Sequence, residues 1–197
     1  MEQQPLPFAT LIDISKQTLT IHHDKLYAGY IAKSNEIQDR LVRLLGTDLT
    51  ATNQSYSELR SLKADETFAV NGAYLHEWYF NNLGGNGKPE GMIVDALTKT
   101  FGSFQNFVSF FSACGMAARG WVVLCWDLHD ETLRIYNGDT HNQGGVWGCL
   151  PILVLDVYEH AYFIDKGSDR KAYIEAWWKN ITWSAVEARY QKILKMI

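Results

Sequence analysis

Apolar and aromatic positions recur at helical spacing through residues 15–46, SKQTLTIHHDKLYAGYIAKSNEIQDRLVRLLG, and predict a long helix, bent near Gly29 and ended by Gly46. A second helix is predicted over Ser55 to Lys63 and a third, rich in Tyr, Trp and Phe, over Phe68 to Asn82. Residues 81–91, NNLGGNGKPEG, hold four Gly and one Pro and mark the domain boundary. Beyond it, residues 91–118 read as helical, with Phe101, Phe104, Phe107 and Phe110 spaced as a buried stripe. The texture then changes. Gly120 to Trp126 and Thr132 to Tyr136 are β-prone runs joined by a turn-like segment, which predicts a hairpin, and Leu150 to Val157 predicts a third strand. A helix capped by Ser168 is expected through Trp178, and Ser184-Ala185-Val186-Glu187 reads as a capping box opening the last helix. The predicted class is α+β: an N-terminal antiparallel helical hairpin domain over 1–83, and a C-terminal domain over 91–197 with a small three-stranded antiparallel sheet flanked by helices.

Composition narrows the function classes. The net charge of −4 gives no general attraction to phosphate backbones, and no block of Lys and Arg stands out, so nucleic acid is not an expected partner. No run of about 18 apolar residues is present to span a bilayer, nor a basic start with a long apolar run, and the expected location is the cytoplasm without a membrane partner. Cys114, Cys125 and Cys149 are odd in number, lie in apolar contexts and form no CxxC pair, so they read as reduced thiols rather than zinc or dithiol chemistry. Seven Trp, ten Tyr and nine Phe supply material for a dry site or an oligomer interface as readily as for a core.

The chemistry is concentrated where charge follows apolar sequence. The run Leu150-Pro151-Ile152-Leu153-Val154-Leu155 reads as an interior strand, so Asp156 emerges where water is scarce and an unpaired carboxylate is costly. His160 follows four residues later. Of the six histidines, His22 shares a predicted helical face with Leu26 and Tyr30, and His76 lies on the aromatic third helix between Gly72 and Phe80. A metal ion is one candidate for the compensating charge.

The order and spacing of LPF near the start, IHHDKLYAGY, NGAYLHEWYF, FGSFQNF, GWVVL, LDVYEHAYFID and YIEAWWKNITW resemble the iron/manganese superoxide dismutase family nearly end to end. The resemblance implies a metal site between the two domains, with His22, His76, Asp156 and His160 holding one Fe or Mn ion per subunit. It implies conversion of two superoxide anions and two protons to O₂ and H₂O₂ by alternate reduction and oxidation of that metal, an antioxidant activity. Tyr30 matches a tyrosine at the mouth of the substrate funnel that helps proton delivery, and Trp121 a tryptophan lining the site. Glu159 matches a residue that reaches across a homodimer to the partner's ligand histidine; pairing of dimers into a tetramer stays open.

Several positions depart from the family pattern. A gateway histidine and the tyrosine it meets across the dimer are replaced by Leu26 and Phe163, which implies a drier gateway without that hydrogen bond and without an orphaned polar group. Gly72 stands where many iron enzymes carry a Gln, leaving room for a side chain from the C-terminal domain to bond the metal's solvent. His141, fifteen residues before Asp156, is favoured for that role, and Gln143 is its competitor. Val154 leans towards iron and Gly72 towards manganese, so either metal stands, with iron slightly ahead. Val123 and Tyr158 occupy positions where further tryptophans are usual, which implies a thinner aromatic cage. Lys25 and Arg170 are candidates for focusing an anionic substrate, although the segment 166–171 departs from the family pattern. Two other readings compete with a superoxide dismutase: a non-haem metalloenzyme of the same fold with altered activity, and an inactive family-derived interaction protein.

Overall fold

The computed structural model describes residues 1–196. The first long helix of the sequence is three pieces in one rod: α1 (Lys16–Ile21), a π-helical turn (His22–Tyr27) and α2 (Ala28–Leu44). The distortion therefore falls on the histidines, before Gly29 rather than at it. Ser15 caps α1 by accepting from the Thr18 N–H. The wider π turn changes which side chains face inward. His22, His23 and Tyr27 are buried and Leu26 is half-buried, so the predicted common line of His22, Leu26 and Tyr30 is interrupted.

The two helices expected over 55–82 are one, α3 (Glu58–Asn81), capped by Ser57. The intervening Ala64-Asp65-Glu66-Thr67 is polar but holds no helix breaker, and Lys63 pairs with Glu66 along it. α2 and α3 pack side by side as the helical hairpin.

The region predicted as one helix over 91–118 is two, α4 (Met92–Phe101) and α5 (Phe104–Ala117). Gly102, at φ 81°, ends the first in the left-handed region, and Ser103 caps the second from its side chain to the Asn106 N–H. This break resets the phenylalanine register. Phe107 and Phe111, four apart, are fully buried, whereas Phe110 is exposed.

The sheet is antiparallel in the order β2–β1–β3, from β1 (Trp121–Asp127), β2 (Thr132–Gly138) and β3 (Cys149–Asp156). Trp121 pairs with Asp156 across β1 and β3, which places both side chains at one end of one face of the sheet. That face meets α3, while α5 packs on β1 and β2. A 3₁₀ turn (Glu159–Ala161), a short α6 (Phe163–Lys166), α7 (Arg170–Lys179) and α8 (Trp183–Leu194) complete the chain.

Two caps differ from the sequence reading. Asp169, not Ser168, caps α7 through the Ala172 N–H. α8 starts at Trp183 after Thr182, and Glu187 accepts from the Ile93 N–H at the start of α4 instead of closing a box on its own helix.

The glycine-rich connection is tied down against 180–182. Gly85 N–H bonds Asn180 O, Gly87 N–H bonds Ile181 O, and Thr182 N–H bonds Asn82 O. Asn82, fully buried at the end of α3, donates from Nδ2 to Val154 O on β3 and accepts from Arg189 of α8 at Oδ1 (2.8 Å). It thus joins α3, β3 and α8. Asn82→Ala leaves the Arg189 guanidinium and the Val154 carbonyl each short of a buried partner, and a loss of about 2–3 kcal/mol is expected in denaturant unfolding.

Candidate metal centre

Four side chains from four segments converge: His22 from the π turn, His76 from α3, Asp156 from the end of β3 and His160 from the 3₁₀ turn. One ligand-capable atom of each lies within 4.8 Å of the others, and among the described residues this is the one such group of three or more His, Cys, Asp or Glu. Asp156 and His76 are fully buried, His22 is nearly so, and the His160 side chain is 26% exposed.

Asp156 Oδ2 is the node. His22 Nε2 and His160 Nε2 each lie 3.1 Å from it, and His76 Nε2 lies 3.7 Å away. Oδ1 accepts from the Tyr158 N–H (2.9 Å), and the Asp156 carbonyl accepts from the Tyr173 hydroxyl (2.7 Å), itself within 3.1 Å of the Tyr79 hydroxyl. Burial alone would raise the Asp156 pKa. The neighbouring imidazoles of His160 and His22 outweigh it and hold the carboxyl far below its usual range. His160 is raised despite its burial, because Asp156 favours its charged form. Burial pushes His22 down and His76 well down, so both imidazoles favour the neutral form that binds metals.

His76 carries the test of fit. Its Nδ1 lies 2.6 Å from the Gly72 carbonyl, an acceptor, so the ring proton is on Nδ1 and Nε2 presents a bare lone pair. That lone pair has no hydrogen-bond partner, is buried, and faces a carboxylate oxygen. Two acceptors aimed at each other in a dry interior are unfavourable unless a cation lies between them. The donor set, three imidazole nitrogens and one carboxylate oxygen, suits a first-row transition metal and differs from closed thiolate-rich structural zinc sites. Cys114, Cys125 and Cys149 are free thiols outside this group.

Rings wall the cluster. His22 packs against Tyr79 (5.0 Å between centroids) and Phe80 (4.9 Å), Tyr30 stacks on His76 (5.2 Å), Trp121 meets His76 edge-on (5.0 Å) and Tyr158 stacks on His160 (5.4 Å). Trp121 Nε1 donates to His141 Nδ1 (2.9 Å), and His141 Nε2 lies 2.7 Å from the Tyr30 hydroxyl. Burial pushes the His141 pKa down to about 4. Gln143 is exposed on the same loop, its backbone N–H closing a turn onto Thr140 O. The structure therefore brings His141, Tyr30 and Trp121 together and leaves Gln143 outside their hydrogen bonds.

Two family models match consecutive parts of the chain: "Iron/manganese superoxide dismutases, alpha-hairpin domain" over residues 5–84, and the C-terminal domain of the same enzymes over residues 89–189. The chain is 39% identical to "Superoxide dismutase [Fe]" of Aquifex pyrophilus, covering 92% of this chain and 86% of that protein. It is 33% identical to "Superoxide dismutase [Mn] 1" of Halobacterium salinarum (97% and 95% covered) and 34% identical to "Superoxide dismutase [Fe]" of Sulfolobus acidocaldarius (92% and 87%). The chain belongs to the iron/manganese superoxide dismutase family. Relatives named for each metal occur among these, so the comparisons do not choose between iron and manganese.

Gly72 gives no free room for an incoming side chain, because the Tyr30 ring fills it: a Cβ on Gly72 would lie 2.6 Å from Tyr30 Cδ1. Val123 lines a cavity of about 510 Å³ behind Trp121 and His141, bounded also by Leu75, Trp78 and Tyr136. Glu159 is exposed, as is Phe163 (55%), while Leu26 is half-buried. Val154 is fully buried on β3 opposite Val123. Arg170 uses its guanidinium on Ala118 O (2.7 Å) and the Tyr162 hydroxyl (3.2 Å), joining α7 to the end of α5, and Lys25 is exposed. The helices include none long and apolar enough to cross a membrane among the described residues.

Residues that sequence reasoning passed over are Phe68, Tyr79 and Tyr173. Phe68 lies 4.5 Å from the His141 ring, and its signal was its place eight residues before His76 on the same face of α3. Gly72→Ala forces the Tyr30 ring away from His76. We expect a stability loss of about 1–3 kcal/mol, with metal content by elemental analysis near wild type and superoxide turnover reduced.

Proposed function

We propose that this protein converts two superoxide anions and two protons to O₂ and H₂O₂, with one iron or manganese ion per subunit held by His22, His76, Asp156 and His160. The observation that carries this reading is the bare Nε2 of His76, buried against Asp156 Oδ2 with two further imidazoles on the same oxygen. When bound, the metal supplies reversible one-electron exchange with superoxide. The chain's own residues do the rest. Asp156 offsets part of the ion's charge, and His76 is fixed in its ligating tautomer by the Gly72 carbonyl. Tyr79, Phe80 and Trp121 keep bulk water from the cluster. Tyr30 and His141 form the hydrogen-bonded pair through which protons reach it. Buried Val154 and the Aquifex relative support iron slightly over manganese, while the Halobacterium relative keeps manganese in play.

The exposed side of the cluster also supports a homodimer. His160 is the ligand that solvent reaches, and Glu159, Phe163 and Ile164 beside it are exposed in the single chain. In a symmetric pair Glu159 would bond the partner's copy of residue 160, fixing its tautomer, while Leu26 and Phe163 would form an apolar gateway.

Protein loaded separately with Fe and with Mn should bind about one ion per chain and remove superoxide faster than an equal concentration of free ion in at least one form. If neither form exceeds free metal, the reading is wrong. Glu159→Gln is expected to lower metal affinity or activity by about 10–100-fold and to shift sedimentation towards monomer. A wild-type sedimentation profile and wild-type affinity would contradict the dimer bridge.

A further inference from the structure

The four converging side chains come from separate segments, and one pair of buried phenols touches the chain around all four. Tyr79 lies three residues after His76 on α3, and its ring packs against the His22 ring (5.0 Å between centroids). Its hydroxyl is 3.1 Å from that of Tyr173 on α7, which in turn lies 2.7 Å from the Asp156 carbonyl. The Tyr173 ring stacks on Tyr162 (5.0 Å), two residues after His160. Tyr173 is fully buried and Tyr79 is 1% exposed.

The direction of these bonds is fixed. A carbonyl only accepts, so the single hydroxyl proton of Tyr173 is spent on Asp156 O, and the Tyr79 hydroxyl must be the donor to the Tyr173 oxygen. Each proton is used once, and neither phenol is left without a partner. Tyr79 belongs to the part of the chain matched by the hairpin-domain model and Tyr173 to the part matched by the C-terminal model, so the pair spans the two.

We propose that Tyr79 and Tyr173 are positioning residues, a strut of two phenols that holds His22 and His76 at a set span from Asp156 and His160 and so tunes the affinity and the midpoint potential of the bound metal. Asp156 is gripped from two sides: its Oδ1 accepts from the Tyr158 N–H (2.9 Å) and its carbonyl from Tyr173, which leaves Oδ2 to face the imidazoles. The far end of the strut is pinned as well. Arg170, three residues before Tyr173 on α7, donates to the Tyr162 hydroxyl (3.2 Å) and to Ala118 O (2.7 Å). Ring burial alone would be served equally by Phe at 79 and 173. What the hydroxyls add is a bond of one length and one direction between the two halves of the site.

The proposal rests on the metal-centre reading above, and its test reads metal retention and potential rather than turnover. Tyr173→Phe strips Asp156 O of its donor and strands the Tyr79 hydroxyl. It is expected to lower Mn²⁺ affinity, measured by competition with a chelator, by at least about tenfold and to move the midpoint potential of the Fe-loaded protein. Tyr79→Phe leaves the bond to Asp156 in place and should move both quantities the same way by less. In the Tyr173→Phe background, a further Tyr79→Phe removes the stranded hydroxyl and should change them little. Ser112→Ala serves as the control, because it removes the acceptor of the Trp178 Nε1–H (2.9 Å), another bond of α7, away from the cluster. It should lower the unfolding temperature and leave affinity and potential at wild type.

Wild-type affinity and potential in Tyr173→Phe, a larger shift in Tyr79→Phe than in Tyr173→Phe, or an equal shift in Ser112→Ala would overturn the strut. If Tyr173→Phe does not fold, Tyr79→Phe decides alone, and unshifted values in it overturn the proposal. Failure of the metal-centre reading would show itself separately, as a wild-type protein that takes up no ion at these four side chains.

Discussion

One buried oxygen, Oδ2 of Asp156, constrains the whole functional region. Desolvating a carboxylate costs on the order of several kcal/mol, and it stays charged here because the imidazoles of His22 and His160 are set against it. Protons on His22 and His160 satisfy only part of that charge. The third imidazole turns a lone pair towards the same oxygen, which makes sense as a ligand set and poor sense as a hydrogen-bonded core.

The fold supplies this convergence through local devices. The β1–β3 register sets Trp121 opposite Asp156, so the indole that bonds His141 and the carboxylate that anchors the cluster leave the same face of the sheet. α3 runs over that face and presents Phe68, Gly72 and His76 in line. The π turn swings His22 inward along with His23 and Tyr27, at the point where an unbroken α-helix would have followed another register. Moving any one of these by a residue would separate the four converging side chains.

The four converging residues could be named from the sequence because the resemblance to the family carries over onto His22, His76, Asp156 and His160, and the fold brings those four together. The three strands and the hairpin of helices were legible from periodicity. What the sequence concealed was mostly continuity and capping. Residues 64–67 looked like a break and are helix, whereas Gly102 looked tolerable within a helix and ends one. Glu187 matched a local capping pattern but is used by α4, a long-range contact that no local pattern encodes. Periodicity also assumed a uniform helix through His22, and so misjudged Leu26. Spacing could only frame the choice between His141 and Gln143; of the two, His141 is buried and hydrogen-bonded to Trp121 and Tyr30, and Gln143 is exposed.

The most direct test of the central claim is anomalous diffraction from crystals of the protein loaded with Fe or Mn, recorded at that metal's absorption edge. The account predicts one peak per chain, coordinated by nitrogens of His22, His76 and His160 and an oxygen of Asp156, with Trp121, His141 and Tyr30 still bonded in series. A peak at any other set of side chains, or no peak beside a His76–Asp156 contact left as it stands, would contradict it.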